Sequence, residues 1–262
     1  MEWNSKKAIL VVSFGTSYED TRKLTIEAVE NKIKAAFSGY EVKRAFTSGI
    51  IRKILKKRDN IVVLDTKSSL ESLKNEGFKE VIVQPLHIIP GIEYEKVQKE
   101  VEEFKEKGAF EKLVLGEPLL YKEEDYIKVI DALKKQMPPM KEGEAVVLMG
   151  HGSSHFSNAS YALMQYMLEE NGLYNVLIGT VEGYPTLDNV IRRLKNKNIK
   201  EVTLMPLMLV AGDHARNDMA GEEEDSWKSI LEKEGFNCKA YVKGLGENKY
   251  IQDMYVEKVK SL

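Results

Sequence analysis

The chain has 262 residues, 43% of them hydrophobic and 31% charged, enough to bury one large α/β domain or two half-size ones. Its 39 lysines and arginines nearly balance 41 aspartates and glutamates, so no bulk charge points to nucleic acid or a membrane surface. A single cysteine, Cys238, excludes an intrachain disulfide framework and a cysteine-rich metal or iron–sulfur site, and fits a reducing cytosol. MEWNSKKAIL runs straight into a strand-like VVSF, leaving no room for a signal peptide, and no apolar run approaches a membrane span. The expectation is a cytoplasmic protein.

Ala8–Phe14 is a continuous β-rich apolar run, the pattern of a parallel strand covered on both faces. It ends in Gly15-Thr16-Ser17. Residues 18–37 then show helical spacing through Leu24, Ala28, Lys32 and Ala36, and Gly39 closes that helix. A strand over Tyr40–Phe46 leads to Thr47-Ser48-Gly49 and the basic stretch IIRKILKKR, followed by a short ordered segment at Ile61–Asp65. Ser68–Asn75 reads as a serine-capped helix that Gly77 ends. Val81–Pro85 is the next strand, followed by LHIIPG and a charged helix over Glu93–Lys107, whose glutamate–lysine alternation suits a solvated face. Lys112–Leu115 is a strand, and a helix over Asp125–Gln136 stops at the linker Met137-Pro138-Pro139.

The same order then begins again. A strand at Val146–Met149 is followed by a glycine loop, a helix over Asn158–Glu170 and a strand over Tyr174–Val181. A helix over Leu187–Lys195, a strand over Val202–Leu207, a helix over Glu223–Glu234, a strand over Lys239–Val242 and a closing helix complete the chain. The repetition extends to residues. Gly15 and Gly150 are 135 residues apart, as are Thr47 and Glu182. LKNEGFKEVIVQP at Leu73–Pro85 matches LKNKNIKEVTLMP at Leu194–Pro206, now at an offset of 121, which aligns Glu93 with His214 and implies a connection 14 residues shorter in the second half. LGEPLLYKEEDYI likewise resembles LGENKYIQDMYV. An internal duplication predicts two similar α/β lobes, 1–137 and 138–262, each with a parallel sheet flanked by helices, facing one another across a cleft.

Ligands favour the crevice at strand C-termini in such sheets. In VVLMGHGSS the strand delivers His151 into a loop that the glycines leave open. Glu182, in GTVEGYP, and His214, in VAGDHARND, lie beyond strand ends of the same half. Two imidazoles and a carboxylate form an ordinary set for cobalt, iron, nickel or zinc, with positions left for a substrate. Each alone has a blander reading: hydrogen-bonded loop histidines, and a glutamate favoured at a helix start. In the first half Thr16 takes the place of His151 and Glu93 that of His214. Glu93 and His87 are candidates to accept protons released across from the metal, against a solvated helix-start charge and a buried histidine. Arg44, Arg52 and Lys53 could meet substrate carboxylates or simply face solvent. The acidic run Glu222–Asp225 reads as a solvated helix start. No GxxxxGK[ST], GxGxxG or GxSxG is present, so nucleotide binding and a serine nucleophile at Ser13 or Ser153 have little support.

MGHGSSHFSN, GTVEGYP, MPLMLVAGDHARNDMAG with EEEDSWK, QPLHIIPGIEYE and FTSGIIRKIL together resemble the anaerobic, class II sirohydrochlorin cobaltochelatases of the chelatase superfamily. The resemblance spans essentially the whole chain, and GDHARNDMAG is its most specific stretch. It implies a chelatase-like fold with the tetrapyrrole between two lobes. The implied activity is that of a lyase: ATP-independent insertion of Co2+ into sirohydrochlorin for cobalamin biosynthesis, releasing two protons. Carried over by motif, the metal ligands fall on His151, Glu182 and His214, and the catalytic positions on His151, Glu93 and His214. Ser13, Thr16, His87 and Arg52 are candidate substrate contacts. Co2+ is the implied substrate metal, Fe2+, Ni2+ and Zn2+ suit the same ligands, and no organic cofactor is implied. Fe2+ insertion into sirohydrochlorin or a porphyrin, and a non-catalytic tetrapyrrole or metal carrier, remain alternatives. The oligomeric state is open, a homo-oligomer included.

Overall fold

Runs of buried apolar residues such as Ala8–Val12, Val81–Val83 and Ala145–Met149 mark the inner strands, and the computed structural model describes residues 6–262 of the chain. The short lead at residues 1–5 lies outside the described residues. The first half carries, in order, β1 (Lys7–Ser13), α1 (Glu19–Leu24), α2 (Ile26–Ala36), β2 (Glu41–Phe46), α3 (Gly49–Asp59), α4 (Thr66–Asn75), β3 (Glu80–Pro85), α5 (Ile92–Glu106), β4 (Lys112–Leu115) and α6 (Glu123–Gln136). The second carries β5 (Glu144–Gly150), α7 (Ala159–Glu170), β6 (Val176–Thr180), α8 (Leu187–Asn196), β7 (Glu201–Pro206), α9 (Trp227–Lys233), β8 (Asn237–Ala240) and α10 (Lys249–Lys260). None of the helices is long and apolar enough to cross a membrane, among the described residues.

Every strand pairing is parallel, and the two sheets repeat one order, β2-β1-β3-β4 and β6-β5-β7-β8. The expected α/β architecture and its duplication are therefore present strand for strand. The shorter connection in the second half is the loss of one helix, since α3 and α4 together occupy the place that α8 fills alone. One face of the first sheet packs Leu10, Val12, Val81 and Val83 against Leu70 and Leu73 of α4 and Val97 and Val101 of α5. In the second sheet Val147, Met149, Leu177 and Leu204 meet Val190 and Leu194 of α8 and Trp227 and Leu231 of α9.

Several expected elements differ in detail. The helix over 18–37 is two helices broken at Thr25, whose hydroxyl bonds the Thr21 carbonyl at 2.5 Å and competes with the helical ladder. Asp65, not a serine, caps α4, accepting the Ser68 amide at 2.8 Å. The basic IIRKILKKR stretch forms α3, capped by Ser48. The acidic run Glu222–Asp225 precedes α9 rather than opening it, because Ser226 is the cap.

The chain forms two compact units, Met1–Tyr121 with Lys249–Leu262, and Lys122–Asn248. Their bounds differ from a division at residue 137. Helix α6 packs on α7 in the second unit, and α10 packs on α2 and β3 in the first. The Pro138-Pro139 stretch thus punctuates a helix end inside a unit. The return of α10 matters locally: fully buried Tyr255 donates from its hydroxyl to the Leu86 carbonyl at 2.9 Å, pinning the backbone just before His87. Replacing Tyr255 by phenylalanine leaves that carbonyl without its donor. We expect Tyr255→Phe to cost about 1–2 kcal/mol in denaturant unfolding, with an unchanged far-ultraviolet spectrum.

Candidate metal centre

Parallel register fixes where the loops of the second unit begin. Gly150 at the end of β5 pairs with Thr180 at the end of β6, and Met149 pairs with Pro206 at the end of β7. The residues that follow these three strands therefore leave the sheet at one edge. The first two loops approach so closely that neither tolerates a side chain at the contact. Gly152, at φ +82, would place a Cβ 2.6 Å from the Gly183 nitrogen, and Gly183 would place one 2.4 Å from Oδ1 of Asn158. Hydrogen bonds hold the approach: the Glu182 amide donates to the His151 carbonyl at 2.8 Å and Asn158 Nδ2 to the Tyr184 carbonyl at 2.7 Å. Thr180 closes the second loop, its amide and its hydroxyl both donating to the Pro185 carbonyl. Buried Tyr161 underlies the first loop and accepts the Gly152 amide at 3.4 Å, and burial pushes its phenol up to about 12.

The third loop differs from expectation. His214 sits not in an irregular loop but at the first position of a π-helical turn, His214–Met219. Buried Ala215 and Met219 anchor that turn in the core below. Wide turns of this kind recur at functional sites.

These three loops bring His151, Glu182 and His214 together, with a potential ligand atom from each lying within 4.8 Å of the others. The two imidazole rings stand 4.8 Å apart, nearly perpendicular, and Nδ1 of His151 is 3.8 Å from a Glu182 oxygen. The side chains are between one-third and two-thirds exposed, so the cluster is open to solvent and to a ligand. Nδ1 of His151 bonds the Gly152 carbonyl at 3.0 Å, which makes it the protonated nitrogen and leaves Nε2 as a lone-pair donor. Nδ1 of His214 is held in a short contact by Asp218. Two imidazoles and a carboxylate with open positions form a competent divalent transition-metal set. The fourth histidine, His155, is occupied otherwise, its Nδ1 accepting the Ser157 amide at 3.2 Å.

The first unit presents a different chemistry at its strand ends. Ser13 ends β1, and its buried hydroxyl has no partner. Thr16 is buried and accepts the Tyr18 amide at 3.2 Å. Both ring nitrogens of His87 are buried and unpartnered, as is Oε2 of Glu93 in the first turn of α5. Burial pushes the His87 imidazole down to about 4, against the pull of the Glu93 carboxylate. His87 is thus uncharged near neutrality. Arg52 bonds Asp65 at 3.2 Å and so ties α3 to the cap of α4, while its Nε is buried without a partner. Thr47, just beyond β2, adds one more buried, unpartnered hydroxyl. Sequence reasoning aligned Thr47 with Glu182 but assigned it no role, and it overlooked Asp218 altogether. The only sequence signal for Asp218 is its spacing, four residues beyond a histidine.

A two-unit α/β protein with duplicated four-stranded parallel sheets and an exposed His–His–Glu cluster at one sheet edge has the architecture of the chelatases. Its structural likeness to solved chelatases shows the fold. A structure of SirB from Bacillus subtilis with Fe3+ superposes with a TM-score of 0.65 at 17% identity, covering 98% of this chain and 95% of that one. CbiX, described as the terminal enzyme of siroheme biosynthesis in denitrifying bacteria, superposes at 0.55 and 16% identity, covering 97% and 99%. The chain belongs to the cobalt chelatase (CbiK) family, which it matches over residues 7–262. It is 44% identical over 251 residues to the sirohydrochlorin cobaltochelatase of Salmonella typhimurium, covering 96% of this chain and 94% of that protein. It is also 35% identical to the sirohydrochlorin cobaltochelatase CbiKC of Nitratidesulfovibrio vulgaris, covering 97% and 89%.

Two measurements check this geometry. Gly152→Ala forces a Cβ against the Gly183 backbone at a positive φ, a strain of about 1–3 kcal/mol. Titration of the protein with Co2+ should then show affinity weakened by about tenfold or more relative to wild type. For His87, an NMR titration of the histidine ring protons should find one imidazole still neutral at pH 5, its signal absent in His87→Gln. Titration of that ring near its ordinary value would refute the buried environment.

Proposed function

We propose that this protein is a sirohydrochlorin cobaltochelatase, inserting Co2+ into sirohydrochlorin without ATP and releasing two protons, in the anaerobic route to cobalamin. The observation that carries the reading is the convergence of His151, Glu182 and His214 on one site in a chain of the cobalt chelatase family. In this reading the three side chains receive Co2+ as a substrate. They shed part of its water shell and leave positions for the pyrrole nitrogens to take over. A protein ligand set of only three, exposed to solvent, suits an ion that must be handed on.

Metal insertion also requires that two pyrrole N–H protons leave. Glu93 is the acceptor in this proposal, its buried Oε2 having no hydrogen-bond partner to compete for it. His87, held neutral, accepts a hydrogen bond and orients the substrate; an imidazole that protonates only near pH 4 is a poor final proton store at neutrality. Ser13 and Thr16 offer hydroxyls to the acidic macrocycle, and Arg52 a guanidinium that shares its charge with Asp65. A cytoplasmic location belongs to the same reading, the one cysteine, Cys238, being free as suits a reducing compartment.

The test is anaerobic mixing of protein, sirohydrochlorin and either Co2+ or Fe2+, followed in the visible spectrum. Cobalt should enter faster than in the His151→Ala/His214→Ala double variant, and no faster in that variant than without protein. Iron entering much faster than cobalt would move the activity to an iron chelatase at the same ligands. Glu93→Gln separates catalyst from carrier: it should lower the turnover rate by about 10²-fold or more while Co2+ affinity stays unchanged. Full turnover in Glu93→Gln would remove the proton-acceptor role.

A further inference from the structure

The two histidines of the centre are oriented by different acceptors. His151 gives its Nδ1 proton to a neutral backbone carbonyl, that of Gly152, at 3.0 Å. His214 faces a carboxylate: Nδ1 and Oδ2 of Asp218 are in a short hydrogen-bonded contact. The pair is an i, i+4 one within the π-helical turn, a spacing that sets two side chains on the same face of a helical element. A second pair one residue earlier repeats the spacing, Asn217 donating from Nδ2 to Oδ1 of Asp213 at 2.8 Å. The turn itself is fixed from beneath by Ala215 and Met219, both fully buried. Asp218 is therefore held on an anchored element, beside the ligand and absent from the ligand set.

We propose that Asp218 is the positioning residue of the metal centre: it fixes His214 in the tautomer with Nδ1 protonated and Nε2 bare, and aims Nε2 at the cluster shared with His151 and Glu182. The proposal rests on the assignment of His214 as a metal ligand. A carboxylate behind an imidazole also makes the ring a stronger donor than a carbonyl does. His214 is then the stronger-holding histidine and His151 the weaker, an asymmetry suited to an ion that is first captured and then given up. The role is confined to the metal. It makes no demand on the tetrapyrrole, so it separates in kinetics from any residue that binds the macrocycle.

The deciding experiment titrates the purified full chain with Co2+ alone and reads both affinity and the visible ligand-field bands. Asp218→Ala should weaken Co2+ binding by about 10–100-fold and alter the bands. Asp218→Asn, which keeps an oxygen able to accept the Nδ1 proton, should recover most of that loss. In turnover, Asp218→Ala should raise the Co2+ concentration needed for half-maximal rate and leave that for sirohydrochlorin unchanged. Independently of any variant, long-range nitrogen–proton NMR of the wild-type protein should show the His214 ring with Nδ1 protonated and Nε2 bare. Binding in Asp218→Ala within twofold of wild type, with the same bands, would overturn the proposal. So would a wild-type His214 carrying its proton on Nε2, which settles the matter even if the alanine variant fails to fold. Co2+ binding left untouched by His214→Ala would overturn the metal centre itself, and this proposal with it.

Discussion

Parallel strand pairing is the constraint on which the site depends. It sends every strand end of a sheet to the same edge, and the register then decides which residues emerge side by side. In the second sheet the pairs Gly150–Thr180 and Met149–Pro206 bring three loops out from three adjacent strands. Whatever chemistry those loops carry must meet there. What distinguishes this edge is how tightly two of the loops close, with glycine facing glycine-bearing backbone at Gly152 and Gly183. A rigid contact of that kind sets the separation of His151 and Glu182 more firmly than side-chain packing alone would.

The duplicated halves keep the scaffold and divide the chemistry. Thr16, Thr47 and Glu93 occupy the places that His151, Glu182 and His214 occupy in the second half. One sheet edge is thus rich in lone-pair donors for a metal. The other carries hydroxyls, a neutral imidazole and a carboxylate. Several polar atoms of that second set, on Ser13, Thr47, His87 and Glu93, are buried without protein partners. An unsatisfied buried polar group costs about 1–3 kcal/mol, so a cluster of them is a liability in the free protein that a polar ligand would relieve. The terminal helices follow a different rule from the sheets. Each unit is completed by a helix from beyond the repeat it belongs to in sequence, and the Tyr255 hydroxyl brings that exchange to bear on the backbone beside His87.

Much of this was legible in the residues. Continuous apolar runs and the loops that bound them located the strands to within a residue or two, because burial on both sheet faces favours such runs. The offsets of 135 and 121 residues exposed the duplication, since each half must bury a similar core. What local signals mistook were boundaries and caps. Thr25 breaks an otherwise periodic helix through its hydroxyl, and Asp65 outcompetes a nearby serine as a cap. The Met137-Pro138-Pro139 stretch was read as a unit boundary, although proline reports only where a helix must stop, not which core that helix joins.

The sequence by itself determined the α/β class, the repeat, and the residue types from which a metal site could be built, because those depend on composition and periodicity along the chain. The tertiary structure decided which of them meet. It gathered His151, Glu182 and His214 and gave His155 to a backbone cap. It wound GDHARND into a π-helical turn that sets Asp218 behind His214, and it withdrew the His87 ring nitrogens from water. The physical reason is that hydrogen-bond partners, solvent exposure and pKa depend on neighbours in space, and strand register and core packing choose those neighbours across scores of residues of sequence.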